Sequence, residues 1–302
     1  MKHFKTISES HQFWNLPKPQ HPLISIINVG DVKPTPVFET VSLIFDFYCI
    51  AVKRVNNLKV KYGQQPFDSK EGIMSFMAPN QVLSITLEKE KEIKKSGWLL
   101  LIHPDFLWNT SLAKIIKNYD FWDYSLYEAL SLSEKEENII NSIVQNIEKE
   151  YHSNIDKFSK PIIISQIETL LNYSERFYNR QFITSEKDNH KILESLENLL
   201  NDYFDKGDLV NTKLPTVQSI AQQLHLSPKY LSSLLKTLTG QNTQQHIHEK
   251  LIEKAKEKLS CTPLSVSEIA YELGFEHLQS FSKLFKSKTA LSPSEFRHTF
   301  NL

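Results

Sequence analysis

The first third of the chain alternates short apolar segments with polar punctuation, as antiparallel β-strands do. Segments rich in β-branched and aromatic residues predict strands at Leu23–Val29, Val41–Val52, Ile73–Met77, Gln81–Leu87 and Trp98–Ile102. Turn-forming pairs such as Gly30-Asp31 and Pro79-Asn80 separate these segments. Several short strands with polar turns favour a small antiparallel barrel or sandwich. Residues 1 to about 20 are polar and aromatic, and they predict an extended arm.

After His103 the pattern changes to a helical period. Apolar residues recur three and four positions apart, which predicts helices at Glu134–Tyr151, Pro161–Tyr178 and Lys191–Phe204. Helices this apolar on one face need a partner surface. Two alternatives stay open: the helices pack on the strands or on one another, or one or two of them form a homodimer interface. The polar run that begins with Asp205-Lys206-Gly207-Asp208 predicts the linker to the next domain.

The segment from Thr216 to Arg297 contains one pattern written twice. Residues coincide at an offset of 49 and, after one extra residue in the following turn, at an offset of 50. The matched pairs are Val217/Val266, Ile220/Ile269, Ala221/Ala270, Leu224/Leu273, Leu231/Phe281, Ser232/Ser282, Leu234/Leu284, Leu235/Phe285, Lys236/Lys286 and Thr239/Thr289. A repeat of this length predicts two copies of one supersecondary unit.

Each copy has the pattern of a helix–turn–helix motif. A short helix with one apolar face is followed by a tight turn, His225-Leu226 in the first copy and Gly274-Phe275-Glu276 in the second. Gly274 suits a left-handed backbone conformation. Ser227-Pro228 supplies an N-cap and a first-turn proline to the second helix of the first copy. In helix–turn–helix proteins that second helix enters the DNA major groove. The alternative, a plain helical bundle, leaves the duplicated turn unexplained.

A longer amphipathic helix, predicted at His246–Leu259, joins the two copies. Its apolar stripe consists of Ile247, Leu251, Ile252, Ala255 and Leu259. Its Glu and Lys residues form two outer ridges, as on a solvated helix. The second helix of each copy is its recognition helix. A rigid connector should hold the two recognition helices about one DNA turn apart, roughly 34 Å.

Five ordered motifs in this segment resemble the AraC/XylS family of bacterial transcription regulators. They are Ser-Pro-x-Tyr-Leu-Ser at 227–232, Leu-x-Lys-x-x-Thr-Gly at 234–240, Ile-Ala-x-x-Leu-Gly-Phe at 269–275, Phe-Ser-x-x-Phe-Lys at 281–286 and Leu-Ser-Pro-x-x-Phe-Arg at 291–297. The resemblance implies two helix–turn–helix subdomains on one long helix, touching successive major grooves. It is also compatible with a cupin-like, effector-binding barrel in the amino-terminal part. Leu251 and Ala290 depart from the family, in which many members have Arg and Gly at these positions.

Eight side chains of the two second helices are predicted to contact DNA, and they are Lys229, Ser232, Ser233, Lys236, Gln279, Ser282, Lys283 and Lys286. The resemblance assigns base contacts to the first three of each copy. Gln pairs with adenine at two points and Lys reaches guanine acceptors, whereas Ser discriminates less. Lys236, Lys286 and the neighbouring Lys288 suit phosphates, which fix register rather than sequence. We therefore predict unequal copies, with the second carrying more base specificity.

Charge distinguishes the two parts of the chain. The 302 residues include 35 basic and 35 acidic ones, and residues 211–302 hold 11 of the basic and 7 of the acidic ones. The net charge is therefore +4 in this segment and −4 in the remainder. Cationic surface on the carboxyl-terminal part fits nucleic-acid binding, and its modest size argues against strong non-specific binding.

Little in the sequence points to catalysis, secretion or a membrane. Cys49 and Cys261 have no disulfide or metal-ligand spacing, and neither a signal peptide nor a membrane-length apolar run is found. In the strand region His21 and His103 are isolated, whereas metal-dependent cupins need several converging ligands. His246 and His248 lie two apart on a predicted helix, where side chains do not share a face. We expect a cytoplasmic protein with no cofactor, metal site, catalytic residue or membrane contact; a catalytic amino-terminal domain stays open as an alternative.

The sequence thus predicts an α+β chain in three parts. Residues 1–130 form a β-rich, cupin-like effector-binding domain, residues 131–205 a helical dimerisation segment, and residues 212–302 an all-α, double helix–turn–helix DNA-binding domain. The expected function is a sequence-specific transcriptional regulator, an activator by resemblance, which binds double-stranded DNA as a homodimer and responds to a small effector by a population shift. RNA polymerase is a further candidate partner. An amino-terminal part that only dimerises is the open alternative.

Overall fold

The computed structural model describes residues 1–32, 40–55, 61–62, 65–66, 72–86, 95–125, 128–153, 156–205 and 214–300. Its strands are β1 (Lys2–Phe4), β2 (Ile24–Asn28), β3 (Thr40–Phe45), β4 (Tyr48–Val55), β5 (Lys61–Tyr62), β6 (Gln65–Pro66), β7 (Gly72–Met77), β8 (Val82–Thr86), β9 (Lys95–Ile102) and β10 (Leu130–Leu132). Its helices are α1 (Ile7–Phe13), α2 (Leu112–Ile115), α3 (Glu134–Tyr151), α4 (Ser159–Thr184), α5 (Glu186–Asp205), α6 (Val217–Gln223), α7 (Pro228–Thr239), α8 (Thr243–Cys261), α9 (Val266–Glu272), α10 (Leu278–Thr289) and α11 (Pro293–His298). The chain divides into two compact units, Met1–Gln181 and Phe182–Leu302.

Two sheets pack face to face in the amino-terminal unit. The larger sheet has the strand order β10-β7-β4-β9-β2 and is antiparallel throughout. The smaller sheet has the order β1-β3-β8, and its β1 runs parallel to β3. Phe45 of the smaller sheet shares one buried cluster with Cys49 and Leu101 of the larger sheet. The core between the sheets is therefore built from the inward-facing side chains of both.

Aromatic residues and α4 cover the opposite face of the larger sheet. The Phe76 ring lies 4.3 Å from that of Phe121 and 6.1 Å from that of Tyr178, which belongs to α4. The Ser174 hydroxyl of the same helix lies 3.8 Å from the Met74 sulfur. Residues 48–52 of β4 are all buried as a result. This burial on both faces explains why the central strand is a continuous apolar run.

The mixed helix-and-sheet class is confirmed, but the cupin-like barrel is not what the described strands form. β2 and β10 end the larger sheet, and within the described ranges each pairs with one strand, so the sheet is open. Its second face is covered by α4 and by aromatic residues, so closure is not needed to bury it. The predicted strand Val41–Val52 is two strands, β3 and β4, in different sheets. The extended conformation is interrupted at Asp46, between β3 and β4. The Asp46 N–H donates to the Phe4 carbonyl at 3.0 Å.

The prediction of an extended arm at residues 1–20 is wrong, because this segment contains β1 and α1. The Thr6 hydroxyl accepts a hydrogen bond from the Glu9 N–H at 3.2 Å, and the Glu9 carboxylate accepts one from the Thr6 N–H at 3.3 Å. This reciprocal pair is a capping box, which starts a helix. Ile7 is fully buried in the core between the sheets. The Thr-x-x-Glu signature was visible in the sequence.

The predicted helices are all present, and α3 has the predicted bounds. In α5, the apolar residues Leu196, Leu200 and Phe204 belong to the core of the carboxyl-terminal unit. The division between the units follows Gln181, so α5 groups with the carboxyl-terminal unit rather than with the segment before it. The predicted linker begins with Asp205, which is the last residue of α5, and residues 206–213 lie outside the described residues. No helix of the described ranges combines the length and apolar composition that a bilayer-spanning segment needs.

Candidate nucleic-acid interface

The first helix–turn–helix copy consists of α6, a tight turn and α7. The turn closes where the Leu226 N–H donates to the Ala221 carbonyl at 2.9 Å. His225 adopts a left-handed conformation there, with φ 56°. The Ser227 hydroxyl then accepts a hydrogen bond from the Tyr230 N–H at 3.3 Å, and Pro228 occupies the first helical position. The N-cap and the first-turn proline predicted for α7 are confirmed.

The second copy repeats this geometry with α9 and α10. The Phe275 N–H donates to the Ala270 carbonyl at 3.0 Å, the equivalent of the turn bond in the first copy. Gly274 adopts the predicted left-handed conformation, with φ 83°. The exits of the recognition helices are also equivalent, since Gly240 and Ala290 are both left-handed, with φ 79° and 64°. Ala290, where the family favours Gly, therefore holds with a Cβ the conformation that Gly240 adopts freely.

Helix α8 is the common frame of both copies. Its buried face joins one core with residues of α6, α7, α9 and α10, and Leu251 is among the buried residues of that core. An ion pair of 2.7 Å between Lys258 and Glu272 links α8 to α9. The Arg297 side chain donates to the Leu259 carbonyl at 3.3 Å, which links α11 to the end of α8. With 19 residues, α8 is about 28 Å long.

The outer face of α8 carries two ion pairs between neighbouring turns. Lys250 pairs with Glu253 at 2.9 Å, and Lys254 pairs with Glu257 at 3.0 Å, each three residues apart. Exposed pairs of this kind contribute little to stability. Helix α8 contains four lysines and three glutamates, so its net charge is only +1. Most of the net positive charge of the motif therefore lies on other helices.

Both recognition helices are cationic and contain no acidic residue. Helix α7 carries Lys229 and Lys236, and both are exposed. Helix α10 carries the exposed residues Lys283, Lys286 and Lys288. Positions 229, 233 and 236, like 279, 283 and 286, follow the spacing of one helical face. Five lysines without an acidic neighbour in their own helices give both faces the sign that phosphates attract.

The uncharged polar residues predicted to contact DNA differ from one another in solvent exposure, whereas the lysines are all exposed. Gln279 is exposed on the first turn of α10. Ser232, Ser233 and Ser282 are half-buried. The Ser232 hydroxyl lies 3.0 Å from the hydroxyl of Thr243, which is completely buried at the start of α8. Sequence reasoning missed Thr243; the only signal was its position, which matches Pro293 at the offset of 50.

His246 and His248 both lie on α8 but bond to different partners. The His246 ring lies 2.9 Å from the Thr239 hydroxyl, and the His248 ring lies 2.7 Å from the Gln244 amide. Burial lowers the pKa of His246, while Glu249 and Glu197 oppose this effect. Burial and the charge of Lys288 lower the pKa of His248. Within the described ranges, no three His, Cys, Asp or Glu side chains come together as a metal-binding group.

Comparison with known proteins matches the carboxyl-terminal unit. A family model described as a helix-turn-helix domain matches residues 220–299. The arabinose operon regulatory protein of Salmonella typhimurium is 36% identical over 27% of this chain and 29% of its own length. The transcriptional activator RhaR of Salmonella dublin is 29% identical over 37% of this chain and 36% of its own length. This chain therefore spans about a third of the length of these relatives.

Among solved structures, the C-terminal domain of AraT, a response regulator from Geobacillus stearothermophilus, is 30% identical. The match covers 34% of this chain and 84% of that domain, with a TM-score of 0.30. The duplicated motif and the matched residues define the class of the carboxyl-terminal unit, which is a helix–turn–helix DNA-binding domain. Its relatives are transcriptional regulators of the AraC/XylS type, and the motifs of the sequence predicted this resemblance.

Proposed function

We propose that the whole chain is a transcriptional regulator that reads duplex DNA with α7 and α10. The observation that carries this proposal is the pair of recognition helices, each free of acidic residues, with five lysines between them. Both helices follow equivalent turns, and both pack in the core that includes α8. The estimated length of α8, about 28 Å, approaches the spacing of major grooves on one DNA face, roughly 34 Å.

Within this interface the lysines and the polar side chains have separate roles. Lys236 and Lys286 lie in the last turns of their helices and suit contacts to phosphates, which set the register. Gln279 and Lys283, both exposed on α10, carry most of the base recognition. Lys229, Ser233 and Ser282 complete the set of base-contacting residues. Ser232, which the sequence also predicts to contact DNA, lies 3.0 Å from the Thr243 hydroxyl instead. The net charge of +4 after residue 210 favours binding that depends strongly on salt.

For the amino-terminal unit we propose sensing of a small effector and self-association. Self-association is supported by apolar side chains that the unit leaves exposed: Trp108 at 70%, Phe158 at 58% and Ile162 at 43%. The Lys160 ammonium donates to the Trp108 carbonyl at 3.0 Å. Because Phe158 and Ile162 are each two residues from Lys160, the three apolar residues lie in one region of the unit. Apolar residues that are exposed together mark interaction surfaces more often than residues that are exposed singly. Replacing Trp108 and Phe158 by Ser should shift a dimer toward monomer in analytical ultracentrifugation.

We further propose that the chain activates transcription, because the relative RhaR is named as an activator. An effector would act by favouring the arrangement in which paired readers match their half-sites. It can shift that equilibrium only by its differential affinity for the two arrangements. Activation would also require contact with RNA polymerase.

The decisive experiment measures binding of the purified full chain to a randomised pool of duplex DNA. We expect enrichment of defined sequences, and an affinity that falls steeply as salt is raised. Replacing Lys236 and Lys286 by Ala should weaken binding to all sequences about equally and reduce the salt slope by about 1 for each lysine. A folded chain that ignores every duplex in dilute salt would refute the proposal.

A further inference from the structure

The first recognition helix has one of its predicted base-contacting side chains already engaged by the protein. The Ser232 hydroxyl of α7 and the Thr243 hydroxyl of α8 are 3.0 Å apart and share a hydrogen bond. Thr243 is 0% exposed, so Ser232 is the partner that satisfies its hydroxyl. Turning the Ser232 hydroxyl toward a base would leave a buried hydroxyl of Thr243 without a partner. Such a loss carries the full desolvation penalty of the buried group.

The second copy lacks this restraint. At the offset of 50, Ser282 corresponds to Ser232 and Pro293 corresponds to Thr243. Pro293 is buried at the first position of α11, as Thr243 is at the first position of α8. Its side chain has neither a donor nor an acceptor. Among the described residues, the structure records no hydrogen bond of the Ser282 hydroxyl. The same serine is thus engaged in one copy and available in the other.

We propose that Thr243 is a specificity-determining residue that acts through Ser232. It positions the Ser232 hydroxyl toward α8 and so removes one hydrogen-bonding group from the base-reading face of α7. Pro293 leaves the equivalent group of α10 free to reach DNA. This proposal rests on the proposed DNA-binding function. The proposal adds a second cause for the unequal base specificity of the two copies. The first cause is the difference in side chains, namely the lysines and Gln279, and the second is the hydrogen bond that holds Ser232.

The chain itself provides a suitable test substitution, Thr243→Pro. Proline is favoured at the first position of a helix, where the N–H has no partner within the helix. Asn242 has φ −81° and ψ 170°, an extended conformation of the kind that a residue before proline requires. Ser292 before Pro293 is similar, with φ −68° and ψ 157°. Thr243→Pro should therefore preserve the start of α8 and remove only the hydroxyl partner of Ser232.

The experiment measures the effect of Ser232→Ala on DNA affinity in two backgrounds of the full chain. The probe is a duplex that the wild-type chain selects from a randomised pool, and affinity is measured by fluorescence anisotropy. In the wild-type background we expect Ser232→Ala to weaken binding less than about twofold. In the Thr243→Pro background it should weaken binding about fivefold, the size of one net hydrogen bond. Ser282→Ala in the wild type should also cost about fivefold.

Thr243→Ser is the matched control, because it keeps the hydroxyl, and Ser232→Ala should then keep its small effect. Circular dichroism and the thermal midpoint establish that each variant is folded. The proposal is overturned if Ser232→Ala costs the same with Thr243 as with Pro at this position, whatever the size of that cost. Absence of any binding by folded wild-type chain refutes the proposed function instead, so the two failures are distinguishable.

Discussion

His225 and Gly274 occupy equivalent turns of the two helix–turn–helix copies, and both have a left-handed backbone, with φ 56° and 83°. A residue with a Cβ pays about 1–2 kcal/mol for this conformation, whereas glycine adopts it freely. The residues that end α7 and α10 are also left-handed, but here the first copy has glycine, Gly240, and the second has a residue with a Cβ, Ala290. Each copy therefore contains one relaxed and one strained left-handed position.

This relationship predicts opposite effects of exchanging the residues of the two turns. His225→Gly should raise the free energy of unfolding by up to about 1 kcal/mol, because the relief of strain exceeds the added entropy of the unfolded chain. Gly274→Ala should lower it by about 1–2 kcal/mol. Denaturant unfolding of the two variants measures both values. Changes of the same sign at both turns would contradict the prediction.

The second prediction concerns unequal reading of DNA by the two copies. Replacing Gln279 and Lys283 by Ala should cost roughly 1–3 kcal/mol for each good contact and should relax the choice of base at the positions that they read. Replacing Lys229 and Ser232 by Ala should cost less. Competition binding against single-base variants of a selected duplex compares the two pairs. Equal losses of affinity and specificity would refute the asymmetry.

The third prediction concerns α5 and the stability of the carboxyl-terminal unit. Leu196 is 1% exposed in the core of that unit, so Leu196→Ala should lower its free energy of unfolding by about 2–5 kcal/mol. The exposed neighbour Ser195 is the control, and Ser195→Ala should change stability by no more than about 0.5 kcal/mol. Circular dichroism follows the helices of both units.

Tryptophan fluorescence separates the two units in this experiment. The four tryptophans, Trp14, Trp98, Trp108 and Trp122, all precede Gln181, so their fluorescence reports on the amino-terminal unit. Leu196→Ala should shift the dichroism transition of the carboxyl-terminal unit and leave the fluorescence transition in place. A shift of the fluorescence transition alone would mean that α5 stabilises the other unit.

The fourth prediction is a loss of stability in mild acid that depends on His246. Burial lowers the pKa of His246 in the folded chain, so the unfolded chain binds the proton more tightly. Stability is therefore retained above the unfolded pKa, about 6.5, and declines as the pH falls below it. His246→Gln should make the unfolding midpoint of the carboxyl-terminal unit less sensitive between about pH 7 and 5. Ser195→Ala, an exposed change that removes no titratable group, is the control and should leave the sensitivity unchanged.

Many structural features of the chain could be predicted from local sequence signals. The bounds of α3, the N-cap at Ser227 and the left-handed turn at Gly274 follow from periodicity, a short polar side chain and a missing Cβ. Each depends on residues within a few positions of one another, which a sequence displays directly. The same reasoning missed α1, although the Thr6 capping box belongs to this class of signal. That miss reflects the aromatic and polar composition of the segment rather than any long-range effect.

The sequence by itself determined the duplicated helix–turn–helix motif, because a repeated period, caps and turn residues are local properties of the chain. Tertiary structure decided the rest. It split Val41–Val52 between two sheets, kept the larger sheet open beneath α4, and placed α5 in the core of the second unit. It also brought Thr243 against Ser232. These outcomes depend on which distant surfaces bury one another, and burial across the fold is set by packing that no local pattern specifies.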